Sequence, residues 1–240
     1  MIGEDRDMRY IPFLAALVAA SSLASPAAAA DRNYSVTSFD RIRLDGAFKV
    51  RLTTNVAPFA RATGSQEALD GVSLDVQGRT LVIRSNRSSW GGYPGKQPGP
   101  VEISVGTHDL SAAFLNGSGS LAIDKIRGLT FELAIQGAGA ANVANVDVDQ
   151  LRIGITGAGS TTLAGKAPKM TAIIRGSSLF DASALAAKDV VVGAEGPVIV
   201  KVNATSSAKI DGAGTATVEL TGGAACTVKA SGSVTVTGCR

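Results

Sequence analysis

Between residues 113 and 240 apolar and polar side chains alternate, and small residues interrupt the alternation at regular intervals. The interruptions are Gly117-Ser118-Gly119, Gly137-Ala138-Gly139, Gly157-Ala158-Gly159, Gly176-Ser177-Ser178, Ala194-Glu195-Gly196, Gly212-Ala213-Gly214 and Ala230-Ser231-Gly232, and their last members return every 18–20 residues. Aligned on that last member, the chain falls into columns. Four residues before it stand Leu115, Ile135, Ile155, Ile174, Val192, Ile210 and Val228. Two residues after it stand Leu121, Ala141, Thr161, Phe180, Val198, Ala216 and Val234, and four after it Ile123, Val143, Leu163, Ala182, Val200, Val218 and Val236. A period of two predicts strand. A fixed longer period predicts a repeat architecture. Short strands that recur at equal spacing coil on themselves, each coil pairing in parallel with the next about 4.8 Å away. The expected fold is therefore all-β, a single-stranded parallel β-helix with aliphatic ladders inside, right-handed by the general handedness of parallel crossovers. The small tripeptides read as tight corners. An antiparallel sandwich is the alternative, and repeats of equal length argue against it.

Residues 31–112 are less regular, as the terminal repeats of a solenoid usually are. Phe39 to Leu52 alternates strongly and carries Leu44-Asp45-Gly46-Ala47 where the late repeat carries Ile210-Asp211-Gly212-Ala213, so it reads as a degenerate first coil. Val72 to Val76 and Leu81 to Ile83 read as strands around a Gln77-Gly78 turn, and Val101 to Val105 as another. Phe39, Phe48 and Phe59 are expected to plug the N-terminal end. No stretch shows a helical period. Ser85 to Pro100 is a turn-rich insertion that holds Trp90, the only Trp of the chain, together with Tyr93.

The first thirty residues stand apart. Arg6 and Arg9 precede the apolar run Ile11 to Ala20, and small residues lead to Ala28-Ala29-Ala30 before Asp31. This is the layout of a secretory signal peptide, with the start at Met1 or Met8 and a mature chain of residues 31–240. The apolar run is too short to span a bilayer, and no Cys follows the small residues to take a lipid. Export to the periplasm or the cell surface follows, with no transmembrane span left after cleavage. Cys226 and Cys239, the two cysteines of the chain, both fall in the last repeat, where an oxidising compartment would pair them as a disulfide. They have opposite parity along the strand, so pairing needs a bend, for which Gly238 is suited.

Composition narrows the chemistry. A net charge of +3 is too small and too scattered for nucleic acid. Aromatics at 5% with 28 glycines fit a thin core of Ala, Val and Ile. His108 is the sole histidine and sits at a strand end, with no Gly-x-Ser-x-Gly elbow for a triad and too few partners for zinc. The Gly-x-Gly units lack the Lys and the helix that a phosphate loop needs. No cofactor or metal is expected. Glycan-cleaving β-helices need paired carboxylates. Here Asp124, Asp147, Asp149, Asp181, Asp189, Glu195, Asp211 and Glu219 stand at different offsets from their corners and read as solvated surface. A polysaccharide lyase or glycosidase is thus the alternative to a non-enzyme.

The opening Phe39…Ile42…Leu44-Asp45-Gly46…Val50…Leu52, the strand Gly78…Leu81-Val82-Ile83 and the Gly-x-Gly corners that follow resemble the GIN-head family of auto-transporter adhesin head domains, over about residues 36–237. The resemblance implies an exported β-helical domain and, through the family name, surface adhesion. No translocator barrel follows the repeats within this chain, so the resemblance carries the head domain and not an autotransporter mechanism. The expected role is non-catalytic binding or scaffolding. The expected partners are an envelope glycan or protein, met by the short outward residues Ser118, Ala138, Ala158, Ser177, Ala213 and Ser231 and by Trp90 and Tyr93 stacking on a sugar ring. Self-association through an open coil end is the other expectation.

Overall fold

A computed structural model describes residues 30–86 and 99–240. The chain opens with β1 (Ala30–Tyr34), β2 (Arg41–Asp45), β3 (Lys49–Thr54), β4 (Phe59–Gly64), the helix α1 (Gln66–Asp70), β5 (Val72–Gln77), β6 (Thr80–Ser85) and β7 (Glu102–Thr107). It continues with β8 (Ala112–Gly117), β9 (Ser120–Ile123), β10 (Ile126–Gly137), β11 (Ala140–Gly157), β12 (Ser160–Lys166) and β13 (Lys169–Gly176). The last strands are β14 (Leu179–Glu195), β15 (Ile199–Gly214), β16 (Thr217–Thr221), β17 (Ala225–Gly232) and β18 (Thr235–Thr237). All strands belong to one continuous sheet that winds around one apolar core. From β8 onward every pairing is parallel, which is the stacked-coil solenoid that the alternation predicts. The inward residues are Ala, Val, Ile and Leu, with Phe131 and Phe180 the largest that are fully buried.

One backbone feature sets the register. Gly46, Gly117, Gly137, Gly157, Gly176, Gly196, Gly214 and Gly232 all have φ between +85° and +136°, a region closed to most L residues. They stack one over another. A Cβ on Gly157 would lie 2.4 Å from the Gly137 carbonyl oxygen, and one on Gly176 would lie 2.3 Å from that of Gly157. After Gly137, Gly157 and Gly176 the next amide donates to the glycine carbonyl one coil below, Ala138 N–H to Gly117 at 2.9 Å, Ala158 N–H to Gly137 at 2.8 Å and Ser177 N–H to Gly157 at 2.8 Å; at the next corner Pro197 has no N–H to give, and the Gly196 N–H instead donates to Ala213 O at 3.0 Å. The corner is thus a hydrogen-bonded seam in which no side chain fits.

This seam corrects the sequence alignment. The stacked glycine is the first member of the first four tripeptides but the last member of the final three. Ile155 does lie against Ile174. Ile174, however, lies against Ala194, and Val192 lies against Ala172. Phe180 likewise faces Val200 and not Val198. From there on, Val192, Ile210 and Val228 are successive neighbours as expected. The columns are therefore offset by a single slip of two residues between Gly176 and Gly196. Two residues preserve inward parity, so the residues on both sides of the slip, from Ile155 to Ile210, still face the core, while Val228 in the open last coil is 42% exposed. The slip has a packing reason. Below it, large residues in one row sit beside glycine at the inner corner, and Ile135 and Ile155 methyls would lie 3.0 and 3.1 Å from a Cβ on Gly159. Above it the volumes trade places. Ala194, Gly212 and Ala230 now form the row, and Val198, Ala216 and Val234 fill the corner, with Val234 2.7 Å from where a Cβ on Gly212 would stand.

The N-terminal part departs further from simple stacking. The coil β2–β3 is the degenerate coil expected from Leu44-Asp45-Gly46, and it lies between two coils. It pairs with β8 and β9 on one side and with β6 and β7 on the other, all parallel. The β5–β6 hairpin turns at Gly78, φ +64°, as expected. Antiparallel β4 extends the sheet from β7 and β1 extends it from β4. Helix α1, unforeseen because a five-residue turn shows no period, is capped by the Ser65 hydroxyl accepting from Ala68 N–H at 3.2 Å. It buries Ala68 and Leu69 and closes this end of the core. Of the three aromatics expected as a plug, Phe39 is buried and Phe48 half-buried against the core. Phe59 is not a plug. It is 42% exposed and lies outside, over Gly106, where a Cβ would stand 2.3 Å from its ring.

At the other end, Cys226 and Cys239 form a disulfide-compatible pair with Cα atoms 5.6 Å apart, and Gly238 supplies the expected bend with φ +83°. Peptide mapping without reductant is expected to return the 226–239 cross-link. Its reduction is expected to destabilise the last coil by about 3 kcal/mol, seen as faster amide exchange in β17 and β18. The seam carries its own prediction. Gly157→Ala should cost at least about 2 kcal/mol in thermal or denaturant unfolding. Gly154→Ala, where a Cβ meets nothing within 4 Å, should leave stability unchanged or raise it by about 0.5 kcal/mol.

Candidate functional site

The glycine seam separates two long outward faces. On the face before it, Phe114, Ala134, Gly154, Ile173, Gly193 and Asp211 stand in one row across successive coils. Ile173 and Val191, 38% and 40% exposed, border a groove of about 380 Å³ that the Arg175–Glu195 ion pair closes on one side. On the face after it, Ser120, Ala140, Ser160, Leu179, Ile199 and Thr217 form the corresponding row. Its small residues leave a flat groove of about 240 Å³ bounded by Lys49 and Arg51.

The outward short residues divide accordingly. Ser118, Ala138, Ala158 and Ser177 follow their stacked glycines and lie exposed at the corner. Ala213 and Ser231 precede theirs and belong to the face before the seam, in the row of Arg175 and Glu195. The expected single row is therefore two, for the same reason that the columns slip.

Parallel stacking brings each charged residue beside its counterpart in the next coil, so like charges would repel along a row. The acids avoid this by alternating with cations. Asp147 lies between Arg127 at 3.9 Å and Lys166 at 3.2 Å, Glu195 pairs with Arg175 at 3.0 Å, and Glu219 with Lys201 at 3.2 Å. Asp181 accepts from the Ser183 hydroxyl at 2.6 Å, Asp189 from Ser207 at 2.6 Å, and Asp124 from the amides of Thr54 and Lys125. Exposed pairs of this kind contribute little each. Their effect is to permit the register. Among the described residues no three His, Cys, Asp or Glu side chains come together in a metal-binding arrangement.

Trp90 and Tyr93 lie outside the described residues. His108 lies where expected, exposed just after β7. Beside it is a feature that the sequence did not disclose, a pocket of about 420 Å³ lined by Ser38, Phe39, Asp40, Arg79, Thr107, His108 and Asp109. These residues come from three separate segments, and only the inserted position of the β2–β3 coil brings them together.

The family profile described as "Putative auto-transporter adhesin, head GIN domain" matches residues 38–224. Several solved structures share the fold. A putative adhesin of Bacteroides fragilis superposes with a TM-score of 0.74 at 18% identity, covering 87% of this chain and 96% of its own. A putative lipid binding protein of Parabacteroides distasonis gives 0.64 at 18%, covering 88% and 97%. A putative adhesin of Parabacteroides merdae gives 0.65 at 16%, covering 88% and 96%. At these identities the likeness is one of fold. Among curated proteins none matches the chain.

The carboxylates at the N-terminal end predict an acid response. Asp31 is held below its ordinary 3.8 by hydrogen bonds from Arg61 and then Thr63. Glu102 is held below 4.5 by a hydrogen bond from Lys49 and then the charge of Arg51. A carboxyl with a depressed folded pKa adds stability that is present above its unfolded value and is lost as pH falls through the folded one. The β1–β4 and β3–β7 edges should therefore loosen as pH drops below these ordinary values. Amide exchange near about pH 3 is expected to rise in β1 while β10 and β11 stay protected.

Proposed function

This chain belongs to the family of putative auto-transporter adhesin head GIN domains, and on that premise we propose that it is an exported, non-catalytic module of the cell envelope or surface. It binds a glycan or protein partner along the sides of its solenoid. The observation that carries this reading is the pair of outward faces, which run unbroken across successive coils, with short side chains such as Ser120, Ala140 and Ser160 in the earlier coils and exposed Ile173, Leu179 and Ile199 in the later ones. The pairing of the acids supports a non-catalytic role. A glycan-cleaving site needs one carboxyl to donate and another to attack or activate water. Asp147, Glu195 and Glu219 are instead held by cations of the adjoining coils. The leader of residues 1–30 directs export, and no helix among the described residues is long and apolar enough to cross a membrane. The loop with Trp90 and Tyr93 adds ring stacking to a sugar, and the last coil is the surface for self-association.

The test has two parts. Cell fractionation should find the mature protein outside the cytoplasm, beginning at Asp31. On an array of envelope glycans the wild type should bind without shortening the ligand, and Trp90→Ala or Tyr93→Ala should each weaken binding roughly 3- to 10-fold. A cytoplasmic location or a depolymerised glycan would overturn the proposal. Full binding by the double variant would remove the loop from it.

A further inference from the structure

The two ends of the solenoid are finished differently. At the N-terminal end α1 covers the core with Ala68 and Leu69, and the outermost strands β1 and β5 carry Asp31, Arg32 and Asp75. The Arg32–Asp70 ion pair at 2.6 Å ties β1 to that cap. Charged edges of this kind turn away a further strand. The C-terminal end has no such cover among the described residues. There β17 pairs only with β15, and β18 only with β16. The inward residues of this coil are apolar and open: Cys226, Val234 and Val236 are half-buried, while Val228 and Ala230 are exposed.

The free edge has a definite pattern. Outward residues donate to the coil beneath, as Glu132 N–H does to Ser111 O at 3.0 Å and Thr235 N–H to Ala216 O at 2.9 Å. Along a strand the backbone groups point to alternate sides, so inward residues turn theirs toward the coil above. In β17 these are Cys226, Val228 and Ala230, and no described strand stands above them. The Cys226–Cys239 pair closes this coil on itself, and Arg240 N–H donates to Ala224 O at 3.2 Å. The edge is therefore held in shape before anything meets it.

We propose that two copies of this chain pair end to end about a two-fold axis, β17 running antiparallel to β17 of the second copy, and that the assembly stops at two. The inference rests on the self-association reading above and gives it an interface and a register. Two-fold symmetry sets one residue opposite itself, and only an inward residue has backbone groups to exchange there. With Val228 at that point, all of Ala225 to Ser231 are opposed, whereas centring on Cys226 or Ala230 shortens the overlap. Cys226 then faces Ala230 of the second copy, and the apolar ends of the two cores meet. Lys229 and Arg240 are the only charged side chains after Glu219. In this register Lys229 faces Thr227 and not its own counterpart, so no like charges oppose each other along β17. The capped N-terminal ends offer a third copy neither an open core nor an uncharged edge.

The experiment is sedimentation equilibrium of the mature, oxidised protein from about 1 µM to about 1 mM, with amide exchange by NMR across the same range. Monomer and dimer should be the only species. The amides of Cys226, Val228 and Ala230 should exchange at least about 10-fold more slowly once the dimer forms. Val228→Lys sets two like charges face to face and should weaken the dimer about 10-fold or more. Its site is exposed, so its β10 to β15 resonances should match those of the wild type. Leu129→Lys, at a 77% exposed residue of β10, should leave the dimer unchanged. A protein that stays monomeric throughout would overturn both this interface and the self-association reading, with the glycan array unaffected. A dimer indifferent to Val228→Lys, a dimer without protection at those three amides, or species that grow beyond two would overturn this interface alone.

Discussion

The structure depends on a contact that admits no side chain: glycine stacked directly over glycine from coil to coil, with the next amide donating to the glycine carbonyl below at Gly137, Gly157 and Gly176. With φ in the left-handed half of the map and a neighbouring oxygen closer than any Cβ tolerates, the position is restricted twice over, by torsion and by space. Each coil is tied to the last at this corner. Both outward faces and all inward rows then inherit their register from it. The aliphatic core contributes most of the stabilisation, but apolar ladders alone would tolerate a shift by two residues. The seam does not.

That division of labour explains the exchange of volumes. The interior cross-section must be filled in every coil. It is filled by Ile beside Gly in the lower coils and by Ala or Gly beside Ala or Val in the upper ones. The two solutions are related by a shift of bulk across the corner, with the backbone stacking unchanged. The chain thus preserves a geometric constraint and varies the packing around it.

Much of this is legible in the sequence, and the illegible part has physical causes. Alternation and period yield the solenoid because both report directly which side of a strand faces the core. The Gln77-Gly78 turn and the pairing geometry of Cys226 and Cys239 are equally local. The slip between Gly176 and Gly196 is hidden because bulky residues mark columns well only while the bulk stays in one column, and there it moves by two. A rule that followed glycine alone would have found it. Helix α1 is too short for periodicity and is marked only by Ser65. The antiparallel strands β1 and β4 and the Asp40 pocket are non-local. Nothing near Asp40 in sequence announces Arg79 or His108, and the two faces of the solenoid are equally silent about what they meet.

The position of the β2–β3 coil between two later coils has a temporal consequence. A chain that emerges N-terminus first, from a ribosome or through a membrane pore, presents residues 41–54 long before either neighbouring layer exists. One of those layers is complete only at Thr107 and the other only at Ile123. Until then the segment has unpaired backbone on both edges and an apolar side with nothing to rest on. Assembly must wait for nearly half of the mature molecule and then close around its own beginning, a slow and long-range step. The regular coils that follow need only lay themselves down one at a time, so the knot of difficulty in making this protein lies at its start, and the rest is accretion.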